Sequence, residues 1–440
     1  MKFLYADSLD YIDPEYNFVE DRHAPSRRPY WDDAYAHEFM DELPYHGILV
    51  SRGIVGDGPV GGGKYTSAQG QRFRREGARA FLRLDSPRFN TLDIFGDCGA
   101  FTYHREEIPP YTAEGMLEFY DDAGFTHGCS VDHIIFEFDQ TNLSGMQGGS
   151  EESHHRFEIT MSNAEQFLRM SGHMTQKFTP LGVIQGWSPG SMAEAGRRLC
   201  AMGYKYLAIG GTVPLKTPQI KACLTAIRAA IPAETKIHVL GFAKADDIND
   251  FTPFNITSFD TTSPLIRAFK DRKSNYYLPR GDRKLDYYTA IRVPQATENP
   301  KLQRLAKEGN LNQEYLQVLE KKTLKVLRDY DKGYETLESA VEVAVEYGTP
   351  IMIGADRASV SPSKIQSLTN DYRRTLLEKP WKQCACRVCR EASIEVVIFR
   401  ASNRNKRRGI HNIGVFKSLV DDLQNLKVST RNEKVDLFCD

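Results

Sequence analysis

Short apolar, β-prone segments recur along the first 260 residues, and most of them stop at a polar residue or a glycine. They are Phe3-Leu4-Tyr5-Ala6-Asp7, Gly47-Ile48-Leu49-Val50-Ser51, Leu92 to Asp97, Phe125 to Asp132, Leu181 to Gln185, Tyr206 to Gly210, Ile237 to Gly241 and Ile256 to Asp260. Between several of them lie stretches with apolar residues at helical spacing, as at 191–202 and 218–230, and a further helix is expected from about Ser67. Strand and helix in alternation build a parallel sheet. Eight such strands predict a closed TIM (β/α)8 barrel; an open doubly wound sheet shares the pattern. In either architecture the working groups sit at the carboxyl ends of the strands. Asp97, Asp132, Gln185, Gly210, Gly211 and Asp260 all fall there.

Beyond Asn299 the pattern changes. A Lys/Glu/Leu-rich helical region covers 301–347 and a polar stretch 359–369. Next come Trp381, the cluster Cys384-Ala385-Cys386-Arg387-Val388-Cys389, a strand-like run at 394–399, His411 and a last helix near 415–426. Three thiolates and one imidazole can close a tetrahedral shell, so Cys384, Cys386, Cys389 and His411 are expected to bind a structural zinc ion. A closed shell leaves no position for substrate, which sends the search for chemistry back to the strand ends. The expected organisation is a catalytic barrel core with N-terminal elaborations over 1–299, a helical insertion over 300–375 and a C-terminal zinc-binding subdomain over 376–440 that completes the barrel.

The net charge of −1 excludes a global field that would attract nucleic acid. Local basic runs remain. They are Arg72 to Arg83 with Phe73 and Phe81, Arg267 to Lys284 with Phe269, Tyr276 and Tyr277, and Arg400 to Arg408 beside His411. Cations mixed with aromatics can grip phosphates and stack bases, although a charge run is more often a solvated face. The remaining cysteines, Cys98, Cys129, Cys200, Cys223 and Cys439, are scattered and form no disulfide framework. The N-terminus lacks the apolar core of a signal peptide, and no apolar run approaches a membrane span, so a cytoplasmic location without membrane association is expected.

Gly58-Pro59-Val60-Gly61-Gly62-Gly63-Lys64 invites a phosphate-loop reading, but Tyr65 stands where the motif needs Ser or Thr for magnesium and Pro59 removes an amide. A mobile loop over the site fits better. Asp97 opens a small-residue turn, Asp97-Cys98-Gly99-Ala100-Phe101, in which a flat ligand can approach the backbone and Phe101 offers a stacking face. Asp97 and Asp260 are each open to a turn-capping role. As a pair they can divide glycosidic chemistry, one carboxylate attacking the anomeric carbon while the other protonates the leaving group. Gln185 beside glycines can offer both a donor and an acceptor to a heterocycle edge. His127, His154 and His155 show no metal spacing.

In order along the chain, these segments resemble the tRNA-guanine transglycosylase superfamily over residues 90–265 and 384–411. The family's Asp-Ser-Gly-Gly-Phe stands here as Asp97 to Phe101, its Val-Gln-Gly as Ile184-Gln185-Gly186, its Ala-Ile-Gly-Gly as Ala208 to Gly211, and its Phe-Asp-x-x-x-Pro as Phe259 to Pro264. The resemblance implies a zinc-bearing TIM barrel that exchanges bases through a covalent glycosyl-aspartate intermediate. By that resemblance Asp260 is the nucleophile and Asp97 the general acid/base. Asp132 would hold the guanine amidine edge, Gln185 with Gly210 and Gly211 the opposite edge, and Phe101 would stack on the base. Thr212-Val213-Pro214-Leu215 after the glycine pair, and the displacement to Arg267 of the Arg that the family has soon after its Pro, depart from the tRNA enzymes. With Tyr5-Ala6-Asp7-Ser8 and Lys64-Tyr65-Thr66 they look like the DpdA-like DNA-guanine transglycosylase branch. That branch implies exchange of guanine in DNA for 7-cyano-7-deazaguanine (preQ0), within a restriction-modification type system that has a companion ATPase. The alternatives are tRNA-guanine exchange or a non-catalytic nucleic-acid-binding subunit of the superfamily.

Overall fold

A computed structural model describes residues 1–58, 62–242, 244–352 and 360–436. The chain divides into two compact units. One comprises Met1–Leu9, Tyr45–Thr262 and the segment from Val420; the other comprises Asp10–Pro44 and Ser263–Leu419.

The first unit holds eight parallel strands: β1 (Lys2–Ala6), β2 (Gly47–Ser51), β3 (Asp93–Asp97), β4 (His127–Cys129), β5 (Thr179–Ile184), β6 (Tyr206–Ile209), β7 (Lys236–Val239) and β8 (Ser258–Asp260). They pair in sequence order and close into a barrel where β1 meets β8, with Lys2 opposite Ser258 and Leu4 opposite Asp260. Each apolar segment picked out by the sequence pattern overlaps one strand. Side chains two residues apart share a face of a strand, and Leu4, Leu49, Phe95, Cys129, Leu181, Val183, Tyr206 and Ala208 form one buried core cluster.

Helices cover the outside and start where the sequence supplies caps. Thr66 accepts from Gln69 N ahead of the Ser67–Phe81 helix, and Ser188 accepts from Ser191 N ahead of Pro189–Met202, with Pro at the first helical position. The Ala113–Ala123 helix ends at Gly124, whose φ of 72° is the left-handed conformation that glycine adopts without a Cβ clash. Its Tyr120 lies flat on β3 and β4, with the hydroxyl donating to Cys129 O at 3.0 Å. Glycine is required beneath that ring: a Cβ at Gly96 would come within 2.1 Å of it and one at Gly128 within 2.5 Å.

The second unit contains an antiparallel hairpin (Tyr276–Arg280 with Lys284–Tyr288), the helices Gln313–Lys332, Leu337–Gly348 and Pro362–Glu378, and the cysteine cluster. The apolar run at 394–399 is not one strand. Ser393–Val397 forms 3-10 turns and only Ile398–Phe399 is extended. The cause lies in Arg408, fully buried, which draws the carbonyls of Val396 and Ile398 onto its guanidinium at 2.9 and 3.3 Å. The basic run at 400–408 is therefore interior framework and not a phosphate grip. Arg404 pairs with Asp21 and with Glu395 (2.7 Å), and Arg400 with Asp21 and Glu320. The run at 72–83 is likewise engaged: Arg74 pairs with Asp57 and Asp122, Arg72 with Glu76, and Arg79 donates to the carbonyls of Leu84, Phe89 and Leu92. In the third run Lys270, Arg272, Lys273, Arg280, Arg283 and Lys284 are exposed, whereas Tyr276 and Tyr277 are buried and cannot stack on bases.

No helix among the described residues is long and apolar enough to cross a membrane. The seven cysteines among them are free; Cys439 lies outside the described residues. So do residues 59–61, on which the expectation of a mobile glycine-rich loop falls.

Candidate active site

Asp97 ends β3, Asp132 follows β4, Gln185 follows β5, Gly210 and Gly211 follow β6, and Asp260 ends β8. All six therefore lie at the carboxyl end of the barrel, where successive parallel strands deliver their last residues to one mouth.

Asp132 is 2% exposed and sits at the centre of a hydrogen-bonded group. Its Oδ1 accepts from the Cys98 thiol at 3.0 Å and its Oδ2 from Gln185 Nε2 at 2.6 Å. Tyr103 OH lies 2.9 Å from both Cys98 Sγ and the Asp132 carbonyl. Gln185 Oε1 accepts from Ile135 N at 3.3 Å. Gly210 makes room for that amide, since a Cβ there would come within 2.3 Å of Gln185 Nε2, and Gly211 has a φ of 70°. Burial raises the pKa of Asp132, and the Cys98 and Gln185 donors oppose it.

Asp97 lies against this group, its carboxylate within 4.8 Å of the ligand atoms of Cys98 and Asp132. Gly99 N donates to Oδ2 at 3.2 Å, and the turn is tight because Gly99, at φ 82°, packs on Ser51 and Gly53. Burial raises the Asp97 pKa to about 7; the negative charges of Asp132 and then Asp260 add to it, against hydrogen bonds from Ser51 and Gly99. A carboxyl poised there can give a proton and take one back near neutrality. Cys98, by contrast, is pushed well above the usual thiol range, first by burial, and serves as a donor and not as a nucleophile.

Asp260 is 5% exposed. Its Oδ1 accepts from Gly241 N at 2.9 Å and faces His238 Nε2 at 3.2 Å. Phe101 is half exposed on the 3-10 turn after Gly99, with its ring centre 6.1 Å from that of Phe136. The sequence reading passed over Cys98 as a donor, Tyr103, His238 and Ser258. A polar residue inside an apolar strand segment, as in Ile237-His238-Val239, was the available signal for His238.

In the second unit Cys384, Cys386 and Cys389 place Sγ atoms 3.6, 3.4 and 3.3 Å from His411 Nδ1. Tetrahedral bonding to one zinc ion with ordinary bond lengths calls for a separation of about 3.6 Å. His411 Nε2 donates to Tyr277 O at 2.7 Å, which leaves Nδ1 for the metal. Tyr276 stacks on the imidazole at 4.1 Å, with its hydroxyl 3.1 Å from Cys389 Sγ. The four residues could hold a metal ion, and the donor set is that of structural zinc.

No family model matches the chain. A DNA-guanine transglycosylase from Salmonella montevideo is 40% identical to it over 417 residues, which cover 94% of this chain and 95% of the relative. At that identity and coverage, with a closed parallel barrel and clustered strand-end carboxylates in the first unit and a Cys3His group in the second, the chain belongs to the DNA-guanine transglycosylase family, the DpdA-like branch of the tRNA-guanine transglycosylase superfamily, and is a glycosyl-transferring enzyme.

Proposed function

We propose that this enzyme exchanges guanine in DNA for 7-cyano-7-deazaguanine through a covalent glycosyl-aspartate intermediate. The observation that carries the reading is the grouping, in one barrel mouth, of a carboxyl with a pKa near 7 (Asp97), a second carboxylate that among the described residues is hydrogen-bonded through Oδ1 alone (Asp260) and a buried acceptor (Asp132). Asp260 attacks C1′ as the C1′–N9 bond breaks. The electron pair leaves with guanine, and Asp97 supplies the proton that the departing base needs. The incoming base gives its own ring N–H proton to Asp97, attacks C1′ from the side opposite Asp260 and releases Asp260 as a carboxylate. Asp132 accepts from the guanine N1–H and amino donors, Gln185 and the Gly210-Gly211 backbone meet the opposite edge, and Phe101 stacks on the base. A base must leave its stack to reach this depth, and the exposed cations of 270–284 are suited to strand phosphates. The reading extends to a cytoplasmic location and to a companion ATPase as partner.

We assign zinc to the Cys3His group in a structural role. Tyr276→Leu removes both the hydroxyl beside Cys389 and the ring over His411, and is expected to weaken zinc binding about 10- to 100-fold, measured by competition with a chelating dye.

The polymer and the base are tested together. Purified enzyme is incubated with guanine-containing DNA or tRNA and 7-cyano-7-deazaguanine, with and without the candidate ATPase, and nucleosides from each polymer are analysed by mass spectrometry. Deazaguanine in DNA alone is expected. Incorporation into tRNA alone would overturn the polymer assignment and leave the aspartate chemistry standing.

A further inference from the structure

Behind Asp260 the barrel interior contains a row of polar side chains that the exchange chemistry above does not use. Ser258 and Asp260 are two residues apart on β8, so both point inward. His238 on β7 is registered opposite Ser258. Tyr206 OH lies 2.6 Å from Ser258 Oγ, Ser258 Oγ 2.6 Å from His238 Nδ1, and His238 Nε2 3.2 Å from Asp260 Oδ1. His238 and Ser258 are wholly buried, Tyr206 is 4% exposed, and the imidazole leans on Phe95 with ring centres 5.3 Å apart. Four polar groups in line inside an apolar layer are costly unless each is satisfied.

The directions of these bonds follow from what each atom can do. A carboxylate only accepts, so His238 Nε2 carries the proton. In a neutral imidazole Nδ1 then accepts, so Ser258 donates to it and Tyr206 donates to Ser258. Burial pushes the Tyr206 phenol upward, which keeps that proton in place at the head of the row. Asp260 Oδ1 therefore receives two donors, His238 Nε2–H and Gly241 N–H. Among the described residues none hydrogen-bonds Oδ2.

We infer that Tyr206, Ser258 and His238 form a positioning relay that fixes the His238 tautomer, anchors Asp260 by Oδ1 and leaves Oδ2 as the oxygen that bonds to C1′. The inference rests on Asp260 being the nucleophile. In the forward step Oδ2 forms the ester bond to C1′ and Oδ1 becomes its carbonyl oxygen. In the return step the bond electrons go back to the carboxylate, and the two donors stabilise it as it leaves. His238 is a positioning residue in both steps, since it touches Asp260 and not the sugar. A histidine at this place also differs from a packing residue in a testable way, because only its N–H should matter.

The test measures single-turnover adduct formation between the full-length enzyme and the guanine-containing polymer identified by nucleoside analysis, alongside KM and thermal stability. His238→Leu is expected to slow adduct formation about 10- to 100-fold with KM changed less than about threefold, on the scale of losing one preorganised donor. His238→Gln, whose amide N–H can reach Oδ1, is expected to recover most of the rate. Ser258→Ala should slow the reaction in the parent and add little in the His238→Leu background, since its effect passes through His238. If His238→Leu folds poorly, Ser258→Ala in the parent serves alone, and a parent rate there would overturn the relay. Parent rates in His238→Leu, equal impairment in His238→Leu and His238→Gln, or additive losses in the double variant would each overturn the relay. Asp260→Asn separates the two readings: an adduct in that variant overturns the nucleophile assignment beneath the relay, whereas its loss there with an unimpaired His238→Leu overturns the relay alone.

Discussion

Asp260→Asn is expected to abolish the covalent adduct and to slow base exchange by on the order of 10⁴- to 10⁶-fold, the range seen when a nucleophile that acts as part of a unit is removed. The substitution is chosen for what it preserves. An amide oxygen can still accept from Gly241 N and His238 Nε2, the two groups that hold Oδ1, so the end of β8 keeps its shape. Both ends of the Asp132–Gln185 pair are untouched, and guanine recognition should survive. What is lost is the anionic oxygen. The amide nitrogen in its place is a poor nucleophile and has no negative charge to neutralise the developing cation at C1′. The measurement is a denaturing gel of enzyme with labelled polymer, supported by intact-protein mass, with polymer binding followed separately. An adduct that persists in Asp260→Asn, with the polymer still bound, would transfer the nucleophile to another side chain.

How much of this was legible in the sequence depended on the range of the interaction concerned. The barrel was legible because each strand carries its own signal, a β-prone run of five to eight residues ending in a polar group or glycine, and the order of such runs sets a parallel sheet. The Cys3His group was legible because three of its four members lie within six residues, Cys384 to Cys389. The convergence of Asp97, Asp132, Gln185 and Asp260 on one mouth followed from the same strand ends. The charge runs misled, because the partner that neutralises a cation lies far away in the chain: Asp21 is what turns Arg400 and Arg404 into interior groups, and Asp122 is what engages Arg74. The run at 394–399 misled for the same reason, since Arg408 takes its carbonyls from across a turn. The row behind Asp260 was invisible for a different cause. Tyr206 and Ser258 are ordinary strand residues, and only the register of β6, β7 and β8 brings them to His238.

With Asp97 as the proposed general acid, the pH dependence of the first half-reaction is expected to follow its carboxyl. Its carboxyl titrates at about 7, raised by burial first and then by the charges of Asp132 and Asp260. To protonate the departing guanine it must carry a proton, and the fraction that does so is nearly complete well below that value and falls as pH rises through it. Single-turnover adduct formation is therefore expected to be level at low pH and to decline about tenfold per unit above about pH 7. Release of the intermediate needs the opposite form, because the incoming base must lose a proton to Asp97. That half-reaction should rise over the same interval, and steady-state exchange should peak where the two limbs cross. Asp97→Asn keeps the turn, since an amide oxygen can still accept from Gly99 N, but it can neither give nor take the proton. It is expected to lower adduct formation by about 10²- to 10⁴-fold and to remove the decline near neutrality. The measurement is the single-turnover rate of parent and variant across this interval. A parent rate level through about pH 7, or a variant that keeps the same limb, would place the proton on another group. If instead the limb disappears with Asp97, the burial that raises its pKa is itself part of the mechanism, because an exposed aspartate with an ordinary pKa would be almost wholly deprotonated at neutrality and unable to serve as the acid.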